Sequence, residues 1–175
     1  MARGKILGLA ATALLCAALA GCSDAKADPL DFNARVNFAV DQLNDAAKEF
    51  PSHLAGAIEG DKAEAVALRT SYQKMKQTLV KVKPELEAIR VPPKQSARDF
   101  YAAVLEWVAN FEKRLDDYVA IVRTIENQTL SVEEKRAKIQ PIANRIDRGQ
   151  AADSVAASTA QEAFARDYKV KLLPR

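Results

Sequence analysis

The sequence predicts an all-α protein: an elongated antiparallel four-helix bundle, running up-down-up-down with coiled-coil-like packing. Apolar residues recur at alternating spacings of three and four over long stretches, the period of a helix face. Glycine is scarce, 6 in 175 residues, while good helix formers such as Ala, Leu, Glu, Lys and Arg abound. Strand signals are missing: no alternating β-branched run is bounded by Asn-Gly or Asp-Gly turns.

The first stretch, Asp31 to about Ile58, places Phe32, Val36, Ala39, Leu43, Phe50, Leu54 and Ile58 on related positions. Pro51 interrupts it and predicts a kink or two pieces, because proline removes a backbone donor and crowds the preceding turn. The second carries the strictest pattern: Ala65, Leu68, Tyr72, Met75, Leu79, Val82, Leu86 and Ile89 form an unbroken heptad seam. Asp61 and Glu64 offer a capping-box start, and Pro84, at an outward position, predicts a kink. Val91-Pro92-Pro93 ends that helix.

In the third stretch Ser96 with Asp99 offers a cap. Phe100, Val104, Trp107, Phe111, Leu115, Tyr118, Val122 and Ile125 then point inward, ending near Gln128. A second row (Tyr101, Leu105, Val108, Val119) widens the face and marks this as the most buried helix. The fourth opens on Ser131-Val132-Glu133-Glu134, a capping box. Ile139, Ile142 and Ile146 share one face, continued by Ala152, Val155, Ala156, Ala163, Phe164 and Tyr168. Pro141 and Gly149 weaken it, so one long helix or two shorter ones fit. Four stretches of about 28–38 residues give helices about 40–55 Å long, joined by short connections.

With 49% hydrophobic and 28% charged residues the chain is too apolar to be disordered. Residues 1–21 read as a secretory signal peptide that is removed. Arg3 and Lys5 form its basic start, and Ile6 to Ala20 an apolar run of about 15 residues, short of the about 20 that span a bilayer. The sequence charge of +3 falls to +1 without Arg3 and Lys5. That lacks the basic footprint of a nucleic-acid binder, so no nucleic-acid partner is expected.

Leu19-Ala20-Gly21-Cys22 resembles the lipobox of bacterial lipoproteins at all four positions. The resemblance covers residues 1–22 and implies diacylglyceryl transfer to the Cys22 thiol, cleavage before it, and acylation of the new amino terminus. Two or three chains anchor a protein stably, whereas one binds only marginally. Cys16 leaves with the signal, so Cys22 is the lone mature cysteine, without a disulfide partner. Residues 22–30 are then the lipidated cysteine and a short tether, and 31–175 the bundle domain of a cell-envelope protein held to a membrane. In enteric-type lipoproteins Ser after the cysteine favours the outer membrane. Ser23 holds that place here, and Asp24 falls one position too late to favour the inner one.

Catalytic and metal constellations are sparse. A c-type haem needs Cys-x-x-Cys-His, which does not occur. Met75 and His53 are the remaining Met and His, and Met75 fits the seam. Di-iron bundles repeat Glu-x-x-His, but Glu49 and His53 are four apart across Pro51. One histidine cannot assemble a zinc site and is the lone candidate base for a nucleophilic triad. His53 reads as a surface or capping residue. Asp116-Asp117 and Glu133-Glu134 point to different faces. The sequence thus predicts no catalytic residues, metal or cofactor, and no enzyme. Asn127-Gln128-Thr129 matches a glycosylation sequon by chance, and Phe100, Tyr101 and Trp107 read as core.

Lys62, Arg69, Lys76, Lys83 and Arg90 recur every seven residues beside the seam. They either pair with carboxylates of a neighbouring helix such as Glu112 or Asp116, or form a stripe facing anionic lipid headgroups, peptidoglycan or an acidic partner. The leading expectation is a membrane-anchored, non-enzymatic interaction or accessory module with a protein partner in the envelope; homodimerisation through an exposed seam is a further possibility. The alternative is a bundle loosened at Pro51, Pro84, Pro141 and Gly149 that holds a small apolar or haem-like ligand. That alternative requires a cavity of about 300 Å³ or more.

Overall fold

The computed structural model describes residues 27–172; the expected signal peptide, residues 1–21, and the expected lipidation site Cys22 lie outside the described residues. Five helices make up the fold: α1 (Pro29–Lys48), α2 (Phe50–Ile58), α3 (Lys62–Glu87), α4 (Gln95–Glu126) and α5 (Val132–Tyr168). No strand occurs among the described residues. α1 begins two residues before the expected Asp31. Asp28 caps it by accepting from the Leu30 N–H at 3.0 Å, and Pro29 supplies a preset φ in the first turn.

α1 and α2 are separated by Glu49 alone, which keeps helical angles (φ −80°, ψ −22°). Pro51 lies in the first turn of α2, where it has no N–H for the Ala47 carbonyl and its ring crowds it. The Ser52 hydroxyl donates to the Glu49 carbonyl at 2.6 Å. The two helices therefore act as one bent rod, and both pack along α3. Contacts from Gln42 to Glu85, Glu49 to Lys74 and His53 to Glu64 run antiparallel down that side.

The α2–α3 turn needs Gly60, whose φ of +94° suits a residue without Cβ. Asp61 caps α3 as expected, accepting from the Ala63 and Glu64 N–H groups. The Glu64 carboxylate does not complete a capping box; it meets His53 Nδ1 at 2.7 Å. His53 is thus a tie between α2 and α3. α3 stays helical past Pro84, whose ring is exposed. The seam is buried from Leu68 to Ile89 except at Tyr72, which is half-buried beside the deeper Ser71, and its first member Ala65 is half-buried as well.

The cap expected of Ser96 is displaced. Lys94 is the extended residue before α4, its N–H donating to the Tyr168 hydroxyl at 2.9 Å, while Ser96 is buried inside the first turn. α4 buries more residues than any other helix. Asn127 forms the α4–α5 turn, its side-chain oxygen accepting from the Thr129 N–H and hydroxyl. α5 starts on the Ser131–Glu134 capping box, with both reciprocal bonds made. Those bonds from Ser131 hold the Glu134 carboxyl below the usual carboxylate range. α5 runs unbroken through Pro141 and Gly149, which rules out two shorter helices, and ends at Lys169 in the left-handed region (φ 56°).

The topology is the antiparallel four-helix bundle, with the α1–α2 rod as its first member. Lys83–Glu112 and Arg69–Glu126 run antiparallel between α3 and α4; Arg145–Asp117 and Arg114–Asp153 do so between α4 and α5. At one end Phe32, Phe100 and Phe164 form an aromatic knot with ring centroids 5.3–5.8 Å apart. Each such buried ring contributes about 1.5–3 kcal/mol of apolar transfer.

Candidate functional site: an open seam between α1–α2 and α5

Three sides of the bundle pack closely, and the fourth does not. Between the rod and α5 the helices are bridged mainly near the ends. At one end the Gln161 amide donates to Asn33 and Asn37 Oδ1 at 2.8 and 2.9 Å. At the other, α2 touches α5 and Arg136 pairs with Glu59. Between those straps lies a lateral slot of about 440 Å³.

The slot follows from two local features. The bend at Glu49 turns Phe50, Pro51 and Leu54 toward it from the rod. On α5 the apolar face stops after Ile146: between there and Phe164 the one large apolar residue is Val155, which points outward at 67% exposure. In its place Asp147, Gln150 and Ser154 recur at helical spacing and face the opening. Buried Tyr118 and Ile121 of α4 form the floor, with the Phe50 and Tyr118 rings edge to face at 4.8 Å. Asn44, Asp45 and Lys48 make the rim on α1. A narrow extension of about 50 Å³ continues between Asn44 and Ser154 toward Trp107.

Polar contacts hold the middle of α5 to α4. Arg114 pairs with Asp153, both largely buried, and Asn110 donates to the same carboxylate at 2.9 Å. Arg145 reaches Asp117 through two nitrogens at 2.6 and 3.0 Å. Gly149 passes beside the Arg114 guanidinium. Burial pushes the Tyr118 hydroxyl above its ordinary pKa, with Asp147 and Asp117 adding to the rise and Arg114 opposing it. The phenol stays neutral at physiological pH.

The chain matches no family model, no curated protein and no solved structure.

The basic row lies on the side of the bundle opposite the slot. Arg69 donates to Glu126 at 2.7 Å and Lys83 to Glu112 at 2.9 Å, so two of the five pair across to α4. Lys76 rests 5.8 Å from the Tyr72 ring. Lys62 and Arg90 are exposed, without an ion pair among the described residues. Glu112 takes the role foreseen for it; Glu126 stands in the place foreseen for Asp116. Exposed pairs of this kind contribute about 0–1 kcal/mol.

Met75 is fully buried in the seam. Phe100 belongs to the aromatic knot, and the Tyr101 hydroxyl donates to the Leu86 carbonyl at 2.8 Å. Trp107 stacks on Phe111 and borders the slot's extension. Of the four residues expected to loosen packing, Pro51 alone lines the slot. Among the described residues no three His, Cys, Asp or Glu side chains converge as metal ligands, and none of the slot-lining residues is His, Met or Cys.

Proposed function

We propose that the protein is an envelope lipoprotein, anchored through Cys22, whose bundle is a non-enzymatic binding module for a small amphiphilic molecule. The observation that carries this reading is the 440 Å³ slot, within the about 300–1,000 Å³ of small-molecule sites. It has an apolar floor and a rim of amides and charges, the division of labour that buries a ligand's body and orients its head. A haem-like occupant is disfavoured: the lining includes no His, Met or Cys, and its one phenol, Tyr118, has a raised pKa that opposes the phenolate a haem iron would need. The lipobox-like Leu19-Ala20-Gly21-Cys22 supports lipid on Cys22 as the proposed attachment, with the outer membrane favoured by Ser23.

A second reading, an accessory subunit for a protein partner or a second copy, is supported by one face of α1. Leu30, Ala34 and Phe38 lie four residues apart and are exposed, Phe38 at 63%. A row of that kind suits a partner helix.

The deciding experiment is native mass spectrometry of the full-length lipoprotein, extracted gently from its own membrane. The expected result is a protein with its anchor plus a non-covalent mass of a few hundred daltons, lost on denaturation. A bare mass, or one raised by a whole protein, would favour the accessory reading. The denatured mass reports separately whether Cys22 carries lipid.

A further inference from the structure

We propose that the slot's occupant is an amphiphilic amine, whose protonated head lies between Asp45 and Asp147 and whose apolar body rests on Phe50, Leu54 and Ile146. This inference rests on the binding-module reading above and adds the chemical class of the ligand.

The charge of the rim carries it first. Asp45 stands on the α1 wall and Asp147 on the α5 wall, and neither has an ion-pair partner among the described residues. Lys48 is the one cation lining the slot, so the opening has a net charge of −1. A carboxylate or phosphate head would meet two like charges there, while an ammonium gains two charge-assisted bonds.

The second observation is independent of the acids. Tyr118 is 6% exposed and lines the slot, yet no group among the described residues hydrogen-bonds its hydroxyl. The ring is buried but the hydroxyl keeps open surface toward the slot, since the fully buried unpartnered side-chain atoms among the described residues are Ser96 Oγ and Arg114 Nη2. An unmet phenol at the edge of an apolar slot is a place for a ligand's polar group, and its oxygen accepts from an ammonium N–H. Beside the raising effect of burial, this phenol feels Arg114, which lowers its pKa, and then Asp147 and Asp117, which raise it, so Asp147 lies within electrostatic reach of the ring. Asn44 and Gln150 add side-chain carbonyls on the two walls. Acceptors thus surround the head position, and the aromatic edge of Phe50 lies beneath the body.

The test uses the full-length chain in zwitterionic lipid nanodiscs, with empty nanodiscs subtracted. The probes are 4-phenylbutylamine, 4-phenylbutanol and 4-phenylbutyrate, which share one body and differ in the head. Trp107, the lone tryptophan, borders the slot's extension and reports occupancy by fluorescence. The amine is expected to bind about tenfold tighter than the acid, a difference of about 1.4 kcal/mol, with the alcohol between. Asp147→Asn should erase that preference and leave the alcohol's affinity unchanged; Asp45→Asn, on the other wall, should act in the same direction. Equal binding of all three probes, or a preference for the acid, would overturn the amine and leave the binding module standing. Failure of all three to bind would overturn both.

Discussion

α4 and α5 lie side by side along the bundle but are held in opposite ways. α4 buries an apolar residue at nearly every inward position from Phe100 to Ile125. α5, the longest helix, buries Ile139 and Ile146 at one end and Phe164 at the other, with small or polar residues and the outward-facing Val155 between. Its middle is fastened by Arg114–Asp153, Asn110–Asp153 and Arg145–Asp117 instead. Apolar packing closes space, because interiors tolerate few voids. Polar straps fix a helix at points and leave gaps between them. The slot lies where the second regime replaces the first.

Substitutions can break or sharpen this contrast. The largest effect is expected for Phe100→Ala, which removes one of the three rings of the aromatic knot and should cost about 3–5 kcal/mol in chemical denaturation. Asp153→Ala should follow at about 3 kcal/mol, a large loss for a residue with no apolar packing, because Arg114 would be left buried and unpaired. A cost below about 1 kcal/mol would mean that the straps do not hold the middle of α5. Gly149→Ala should change stability least and in the other direction, raising it by about 1 kcal/mol in thermal denaturation. The new methyl would meet the Arg114 guanidinium at 3.5 Å, an ordinary contact. A loss there would show that α5 needs glycine's freedom at that turn.

The same contrast governs what the sequence disclosed. α3 and α4 were legible because large apolar residues at spacings of three and four state both the helix and its buried face. The interruption at Pro51 was legible because proline removes a backbone donor and crowds the preceding turn, although Pro84 and Pro141 carry the same chemistry inside unbroken helices. The slot was much less so, since it arises from what α5 lacks between Ile146 and Phe164 and from the meeting of that gap with the bend at Glu49. One signal was present: the α5 face that carries Ile139, Ile142 and Ile146 turns polar at Gln150 and Asp153 without losing helical register. Tyr118 read as plain core, because spacing says that a ring is buried but not whether its hydroxyl finds a partner. Ser96 misled as a cap because Lys94, whose N–H is held by the Tyr168 hydroxyl of a distant helix, is the extended residue and the helix begins at Gln95.

The measurement that bears most directly on the slot as a binding site is hydrogen exchange on the full-length protein, as extracted and again after its ligand has been stripped. Amides of α5 from Asp147 to Ala160 should exchange faster once the slot is empty, while those of α4 from Val104 to Leu115 keep their protection. Unchanged exchange along α5, or a change confined to the exposed face of α1 around Phe38, would contradict the account.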